Sequence, residues 1–457
     1  MSLADELRQL LSPGAVADDP ETLAAHSGDK WFAAQAPEAV VFATSTSDVS
    51  KLLKFASDRN IPVTARGAGF GYVGGCVPVK RGIALSLIKM NRIKEIDFAD
   101  AVAIVEPGVI TGDLKSAARA QKLFYPPDPA SMSDCSIGGN VATNAGGPRC
   151  LKYGVTRNYV LGLEVVISNG DIVRLGGRVH KNKTGFDLIG LFVGSEGLLG
   201  VVTEMTLRLL PLPPARATIS AAFAKINEAA AAVQEIFAHG FLPAALEIAD
   251  SYTLEAARKD LGAAIVPPGN AHLLVDLDGQ EVSVRNEAES IRNLLAGKNP
   301  NALELATGEE NCEKLWALRR QFSNSLRATG LTKLNEDVVV PRSHIVDLVE
   351  FAERLSAKSG FPIACFGHAG DGNMHVNIMA DRYNRDAAVR EKVDRALNEL
   401  FAQVLAWGGV ITGEHGIGLA KKRWWPEATS EPVRELHHKL KKILDPTGIL
   451  NPGKFVE

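Results

Sequence analysis

Gly69-Phe70-Gly71-Tyr72-Val73-Gly74 follows a short β-rich run, Val63-Thr64-Ala65, and has the G-x-G-x-x-G spacing of a dinucleotide-binding turn. That reading needs a helix next, because the helix N-terminus is what receives the pyrophosphate. None follows. Gly75-Cys76-Val77-Pro78-Val79-Lys80-Arg81-Gly82 runs into another β-rich segment, Ile83-Ala84-Leu85-Ser86-Leu87. The pattern argues against a Rossmann unit and leaves a loop between strands, whose backbone N–H groups would form any phosphate cradle. Two further glycine-rich loops, Ser136 to Gly147 and Gly194 to Gly200, come later in the same block. Each alone reads as tight turns without a ligand. Three in one block favour a bound dinucleotide, with small residues that let backbone approach a large planar ring.

Short β-rich runs at 39–42, 63–65, 83–87, 101–105, 163–167 and 201–209 build this block, with helices read over Leu3 to Leu11 and Ser47 to Arg59, the second capped by Thr46 or Ser47. Pro211-Leu212-Pro213-Pro214 is a proline-dense joint and marks a domain boundary. Beyond it, strands at 217–224 and 272–277 alternate with helices at 225–239 and 385–407, an α+β pattern around an antiparallel sheet. The 457 residues exceed one ordinary domain of about 150. A net charge of −3 without a basic run argues against nucleic acid and for a small substrate. Five scattered cysteines fit a reducing compartment better than a disulfide framework. No apolar run approaches the ~20 residues of a membrane span, so the expected location is cytoplasmic, with peripheral attachment to a membrane left open.

The chemistry concentrates near the C-terminal end. Gly367-His368-Ala369-Gly370-Asp371-Gly372-Asn373-Met374-His375 and Gly413-Glu414-His415-Gly416-Ile417-Gly418 set three imidazoles and a carboxylate among glycines. That set suits a divalent cation beside a catalytic base. His368 and His375 are an odd number of residues apart, and the Asp371-Gly372 turn lets their rings converge. His375 and Asn377 share one strand face.

In order along nearly the whole chain, Arg66-Gly67-Ala68-Gly69, the block from Pro126-Pro127-Asp128-Pro129 to Gly147, Gly194 to Gly200, the two histidine segments, and Leu444-Asp445-Pro446 to Asn451-Pro452-Gly453-Lys454 resemble the FAD-linked D-2-hydroxyacid dehydrogenases. This group of the vanillyl-alcohol oxidase superfamily includes D-lactate dehydrogenase, the glycolate oxidase FAD subunit and D-2-hydroxyglutarate dehydrogenase. The resemblance implies a PCMH-type FAD-binding domain of two α/β subdomains (1–212), a ferredoxin-like substrate and metal domain (213–425), and a helical tail returning to the first domain (426–457). It implies that Arg66, Gly67, Ala68, Gly69, Phe70, Gly71, Gly74 and Gly75 surround the pyrophosphate. Pro127, Asp128, Ser133, Gly138, Gly139, Asn140, Asn144 and Gly147 would line the ADP and ring region, with Val201, Val202 and Asn451 also near the cofactor. Phe70 stands where some superfamily members carry a flavin-tethering histidine, so non-covalent FAD is expected.

The same resemblance assigns His368, His375 and Glu414 to a divalent metal (zinc, manganese or iron) and makes His415 the general base. Arg319 would clamp the substrate carboxylate, with Ser323 one turn later on a helix, Lys333 as a further cation and Asn377 as a hydrogen-bonding partner. Lys333 also reads as a partner for Glu336 or Asp337. The expected activity is oxidation of a D-2-hydroxy acid, D-lactate or glycolate ahead of D-2-hydroxyglutarate, by hydride transfer to the flavin. Electrons would leave to a quinone, a cytochrome or an electron-transfer flavoprotein. A flavoprotein subunit that needs partners is the second reading, a metal-independent flavin transfer the third; a homodimer is allowed.

Overall fold

Ala39–Phe42 and Ile83–Ser86 are apolar along nearly their whole length, as strands covered on both faces must be, and they pair in parallel, with Val63–Arg66 parallel on the other side of Ile83–Ser86. The structure, a computed structural model, describes residues 1–456; residue 457, the last of the expected tail, lies outside the described residues. The chain forms two units. The first comprises 1–146, 155–212 and 414–457, and the second 147–154 and 213–413.

In the first unit the parallel strands, with Val16–Ala17 added at one edge, make a four-stranded sheet. The helix Thr46–Arg59 buries Val49, Leu52, Leu53 and Ala56 in the core of this sheet, with Val41, Ile83 and Leu85. Its cap is Ser45, whose hydroxyl accepts from Asp48 N–H at 3.2 Å, not Thr46 or Ser47. The reason is local: Ser45 is the last residue with extended backbone, and a cap must stand outside the helical turn. A second sheet of five antiparallel strands follows the order 93–97, 102–105, 201–208, 160–166, 172–176. The tail comes back to the first sheet: Asn451 N–H donates to Val63 O at 2.8 Å and Val63 N–H to Ile449 O at 2.8 Å. The buried Lys441 fixes it further, donating to Leu198 O, Leu450 O and Asp445 Oδ2.

The second unit holds one seven-stranded antiparallel sheet. Strand Ala215–Phe223, helix Ile226–Ala238, strands Ala245–Ala249 and Ala271–Gly279, helix Glu281–Ala296 and strand Ala302–Thr307 form a β-α-β-β-α-β unit with strand order 4-1-3-2, the ferredoxin-like arrangement, with a further helix, Ser251–Leu261, inserted between the two middle strands. Ile363–His368, Asn373–Ala380 and Thr332–Val339 extend the sheet beyond Ala245–Ala249. The hairpin between the first two turns at Gly372, which has φ +87° and where a Cβ would sit 2.0 Å from Val340 O. Only glycine fits there. Leu318, Phe322 and Leu326 of helix Glu309–Ala328 pack with Phe366 and Met379 on one face of this sheet. All five cysteines are free, and among the described residues no helix is long and apolar enough to cross a membrane.

Candidate active site

The three glycine-rich runs of the first unit meet at one short helix, Ile137–Thr143. That helix lies inside the run read from sequence as a loop; Ser136 caps it, accepting from Gly139 N–H at 3.4 Å. Ser136 Oγ also accepts from Ala68 N–H at 3.3 Å, and a Cβ on Gly67 would sit 2.3 Å from it. From the other side, Gly194 N–H donates to Val141 O at 2.9 Å and Glu196 N–H to Ala142 O at 2.8 Å. Asn451 joins the first and third runs through Nδ2, which donates to Gly75 O at 3.0 Å and Glu196 O at 2.9 Å. A surface so poor in Cβ atoms is a cradle for a large planar ligand, which is how the residues fit FAD.

Several side chains expected at the cofactor are occupied by the protein itself. The Arg66 guanidinium bonds the Gly28 carbonyl and Cys76 Sγ. Asn140 Nδ2 donates to Thr111 Oγ1 at 2.6 Å, and Asn144 Oδ1 accepts from Arg157 N–H at 2.9 Å. Pro127 offers its carbonyl to Lys115 Nζ at 2.9 Å. Phe70 lies under Lys30 Nζ, 4.4 Å from the ring centre. Ser133 is exposed, with its hydroxyl on Asp134, and Val201 is buried in the sheet core. Gly147 belongs with the second unit. The backbone of these runs, with the polar atoms that these bonds leave over, such as Asn451 Oδ1, is what a cofactor would meet.

In the second unit strand register assembles a polar band on one face of the sheet. Glu247 stands opposite His368, Asp337 opposite His375 and Asn335 opposite Asn377. Opposed side chains of this kind are within contact range. The His368 and His375 rings are edge to face, 5.5 Å between centres, as the Asp371-Gly372 turn leads one to expect. Asp337, fully buried, accepts from Asn373 Nδ2 at 2.7 Å, Thr412 Oγ1 at 2.9 Å and Gly413 N–H at 3.0 Å. Glu414 is bonded to that clamped Gly413, so the sheet itself sets where its side chain begins. His368 and His375 thus bring two imidazoles together, and Glu414 is the residue that follows the clamped Gly413. Two imidazoles and a carboxylate are a donor set that fits a divalent metal.

Arg319 reaches this band from helix Glu309–Ala328, its Nε 2.6 Å from Glu247 Oε2 and its guanidinium over Phe366. Ser323, four residues on, accepts from Lys333 Nζ at 2.6 Å. Lys333 therefore pairs with Ser323, not with Glu336 or Asp337; it faces the helix across the sheet. Burial pushes the Lys333 ammonium down to about 7, with Arg327 and Arg319 adding repulsion. Asn377 donates to Ala364 O at 3.2 Å and His375 O at 2.9 Å, while the Oδ1 atoms of Asn335, Asn373 and Asn377 are buried and accept nothing. Unfilled amide acceptors suit a ligand with a hydroxyl to donate, and the Arg319 and Lys333 cations suit an anionic group.

His415 lies in the first unit, its ring 5.2 Å from that of Tyr72. Glu196 holds its loop: Oε1 accepts from Ile417 N–H at 2.8 Å and Oε2 from Gly418 N–H at 2.9 Å. Sequence reasoning missed Glu196, Glu247, Asp337 and Ser136. One signal was available: Glu247 is a lone carboxylate in the otherwise apolar strand Ala-Leu-Glu-Ile-Ala, and all five positions are buried. Of the other histidines, His26 and His437 hydrogen-bond locally, to Thr22 O and Val433 O, while His272 pairs with Ser220 Oγ on the neighbouring strand and His180 with Asp100 O.

A glycine-built cradle in one unit and a ferredoxin-like unit with a band of histidine, carboxylate and arginine side chains are the architecture of a flavin-dependent oxidoreductase. Residues 37–176 match the FAD binding domain model, and residues 212–455 match the model of FAD linked oxidases, C-terminal domain. The chain is 40% identical to glycolate oxidase subunit GlcD of Bacillus subtilis over 419 residues, 92% of this chain and 89% of that one. It is 34% identical to D-lactate dehydrogenase of Anaerostipes hadrus over 432 residues, again 92% and 89%. In fold it is similar to 4-ethylphenol oxidase from Gulosibacter chungangensis, with TM-score 0.81, 22% identity, and coverage of 99% of this chain and 96% of that one. The chain belongs to the FAD-linked oxidase family.

Proposed function

We propose that this oxidoreductase oxidises a short D-2-hydroxy acid, D-lactate or glycolate, to the 2-oxo acid. The observation that carries the reading is the pair His368 and His375 on one sheet face, with Lys333 on that face and Arg319 reaching it from the packed helix; Glu414 follows the clamped Gly413 in the chain. Oxidation takes a proton from the hydroxyl and a hydride from the carbon that bears it. FAD, when bound non-covalently in the cradle of the first unit, supplies the two-electron acceptor. A divalent metal, when held by His368, His375 and Glu414, supplies Lewis acidity that favours loss of the hydroxyl proton. His415 takes that proton as general base. Arg319 binds the substrate carboxylate, a planar anion matched to a guanidinium. Lys333 adds a second positive charge, and Asn377 offers an amide. Electrons leave the protein to a quinone, a cytochrome or an electron-transfer flavoprotein.

Anaerobic bleaching of the flavin across a panel of D- and L-2-hydroxy acids tests the proposal. Rapid bleaching by D-lactate or glycolate, and slow or no bleaching by L-lactate, is expected; bleaching by none overturns it. The relatives named as glycolate oxidase subunits support a second reading, a flavoprotein that turns over only with partner subunits. Under it the purified chain holds FAD in full and no hydroxy acid bleaches it.

A further inference from the structure

Glu247 is 1% exposed and sits in a strand with no other polar residue. A buried carboxylate is strongly disfavoured unless charged or hydrogen-bonding partners meet it. Glu247 has two, one on each oxygen. Oε1 lies 2.6 Å from Nδ1 of His368 on the adjacent strand, and Oε2 lies 2.6 Å from Nε of Arg319 on the packed helix. Strand register places Glu247 directly across from His368, so this contact follows from backbone pairing as well as from side-chain rotamers. Two elements distant in sequence from its own strand, residues 309–328 and 363–368, converge on this one carboxylate.

We infer that Glu247 is a positioning residue that sets up the metal ligand and the substrate clamp together. By accepting from His368 it keeps the ring proton on Nδ1, which leaves the Nε2 lone pair for a cation. By accepting from Nε of Arg319 it fixes the guanidinium plane and leaves the terminal amino groups for a carboxylate. An amide cannot do both. In Glu247→Gln the single oxygen serves one donor, while the NH₂ group confronts the other N–H. His368 then gains by moving its proton to Nε2, the nitrogen a metal needs bare. A carboxylate that served only as a structural counter-ion to Arg319 would affect the guanidinium and leave the imidazole alone.

The inference rests on the proposed metal and substrate reading, and the test separates the two. FAD-loaded protein is stripped of metal with a chelator and titrated with Zn²⁺ for wild type, Glu247→Gln and Glu247→Asp; the flavin spectrum and circular dichroism report folding. Glu247→Gln should bind zinc about 10–100-fold more weakly with both folding signals unchanged. Its KM for the hydroxy acid that bleaches the wild type should rise by a larger factor than kcat falls, because Arg319 binds substrate before and during reaction alike. Glu247→Asp keeps the charge on a shorter stem and should fall between the two. Wild-type zinc affinity in Glu247→Gln overturns the inference and leaves the metal reading standing. Failure of the wild type itself to take up zinc or manganese overturns both. Should Glu247→Gln not fold, Glu247→Asp decides, and a zinc affinity equal to wild type in that variant counts against the positioning role.

Discussion

The first unit gathers three glycine-rich runs around the helix Ile137–Thr143 and presents mainly backbone, whereas the band on the second unit's sheet is made of side chains that touch one another. In the first, the damaging change is the addition of an atom. Gly67 and Gly138 have no room for a Cβ, while Arg66, Asn140 Nδ2 and Asn144 Oδ1 are bonded within the protein. In the second, the damaging change is the loss of one. His368 and His375 carry the ring nitrogens there, on a sheet of seven strands joined by backbone hydrogen bonds. Backbone-built sites are fragile in stability, and side-chain-built sites are fragile in chemistry.

The largest effect that would sharpen this contrast is expected of His415→Ala. Flavin reduction by substrate should fall by about 10²–10⁴-fold, with FAD and metal still bound, as stopped-flow absorbance and elemental analysis would report. A near-normal reduction rate would remove His415 from the chemistry. Glu414→Gln comes next. Loss of an outer-shell partner already weakens metal binding by roughly 10–100-fold, so loss of a direct ligand should weaken it at least that much. Unchanged metal content after dialysis would count against Glu414 as a ligand.

Gly138→Ala probes the first unit. Its Cβ would lie 2.5 Å from Pro107 Cβ and 2.9 Å from Pro107 O, a clash with little room to relax. Overpacking of this kind costs about 1–3 kcal/mol, and FAD loading should drop with thermal stability. Wild-type melting and full flavin content would break the comparison.

The smallest effect concerns Lys333 and pH. Its folded pKa of about 7 lies below the ordinary lysine value, so above about 7 the free enzyme loses this charge. The KM for a carboxylate substrate should climb by at most about tenfold per pH unit there, the limit for one proton. The stability sign is opposite: between about 7 and the unfolded lysine value of about 10.4 the unfolded chain binds more protons, so stability rises with pH. Lys333→Met should flatten both dependences, and a KM profile unchanged by that substitution would remove Lys333 from substrate binding.

Most elements were legible because their signals are local. The helix read over 385–407 is Ala387–Ala406, the strand read at 217–224 is Ala215–Phe223, and the strand at 39–42 has those same bounds. The helix Ile137–Thr143 was not legible, since Gly138 and Gly139 argue against helix and only the Ser136 cap and the two flanking runs hold it. Ser45 as the cap of helix Thr46–Arg59, in place of Thr46 or Ser47, is one of three adjacent hydroxyl residues of like chemistry. Within the site, the convergence of His368 and His375 could be argued from one turn. The partners of Lys333, Glu247 and Asp337 could not.

By itself the sequence determined that this chain has strand-bounded glycine runs incompatible with a Rossmann turn, an antiparallel second domain, and a histidine and glutamate set among glycines. Those are properties of residue type and short spacing, and they do not depend on what lies across the sheet. Tertiary structure alone decided that Glu247 bridges His368 and Arg319, that Asp337 clamps the peptide before Glu414, and that Glu196 holds the loop of His415. Each of these carboxylates finds partners many residues away. A buried charge takes whichever donors the packed strands bring to it, and strand register, a product of the whole sheet, fixes which those are.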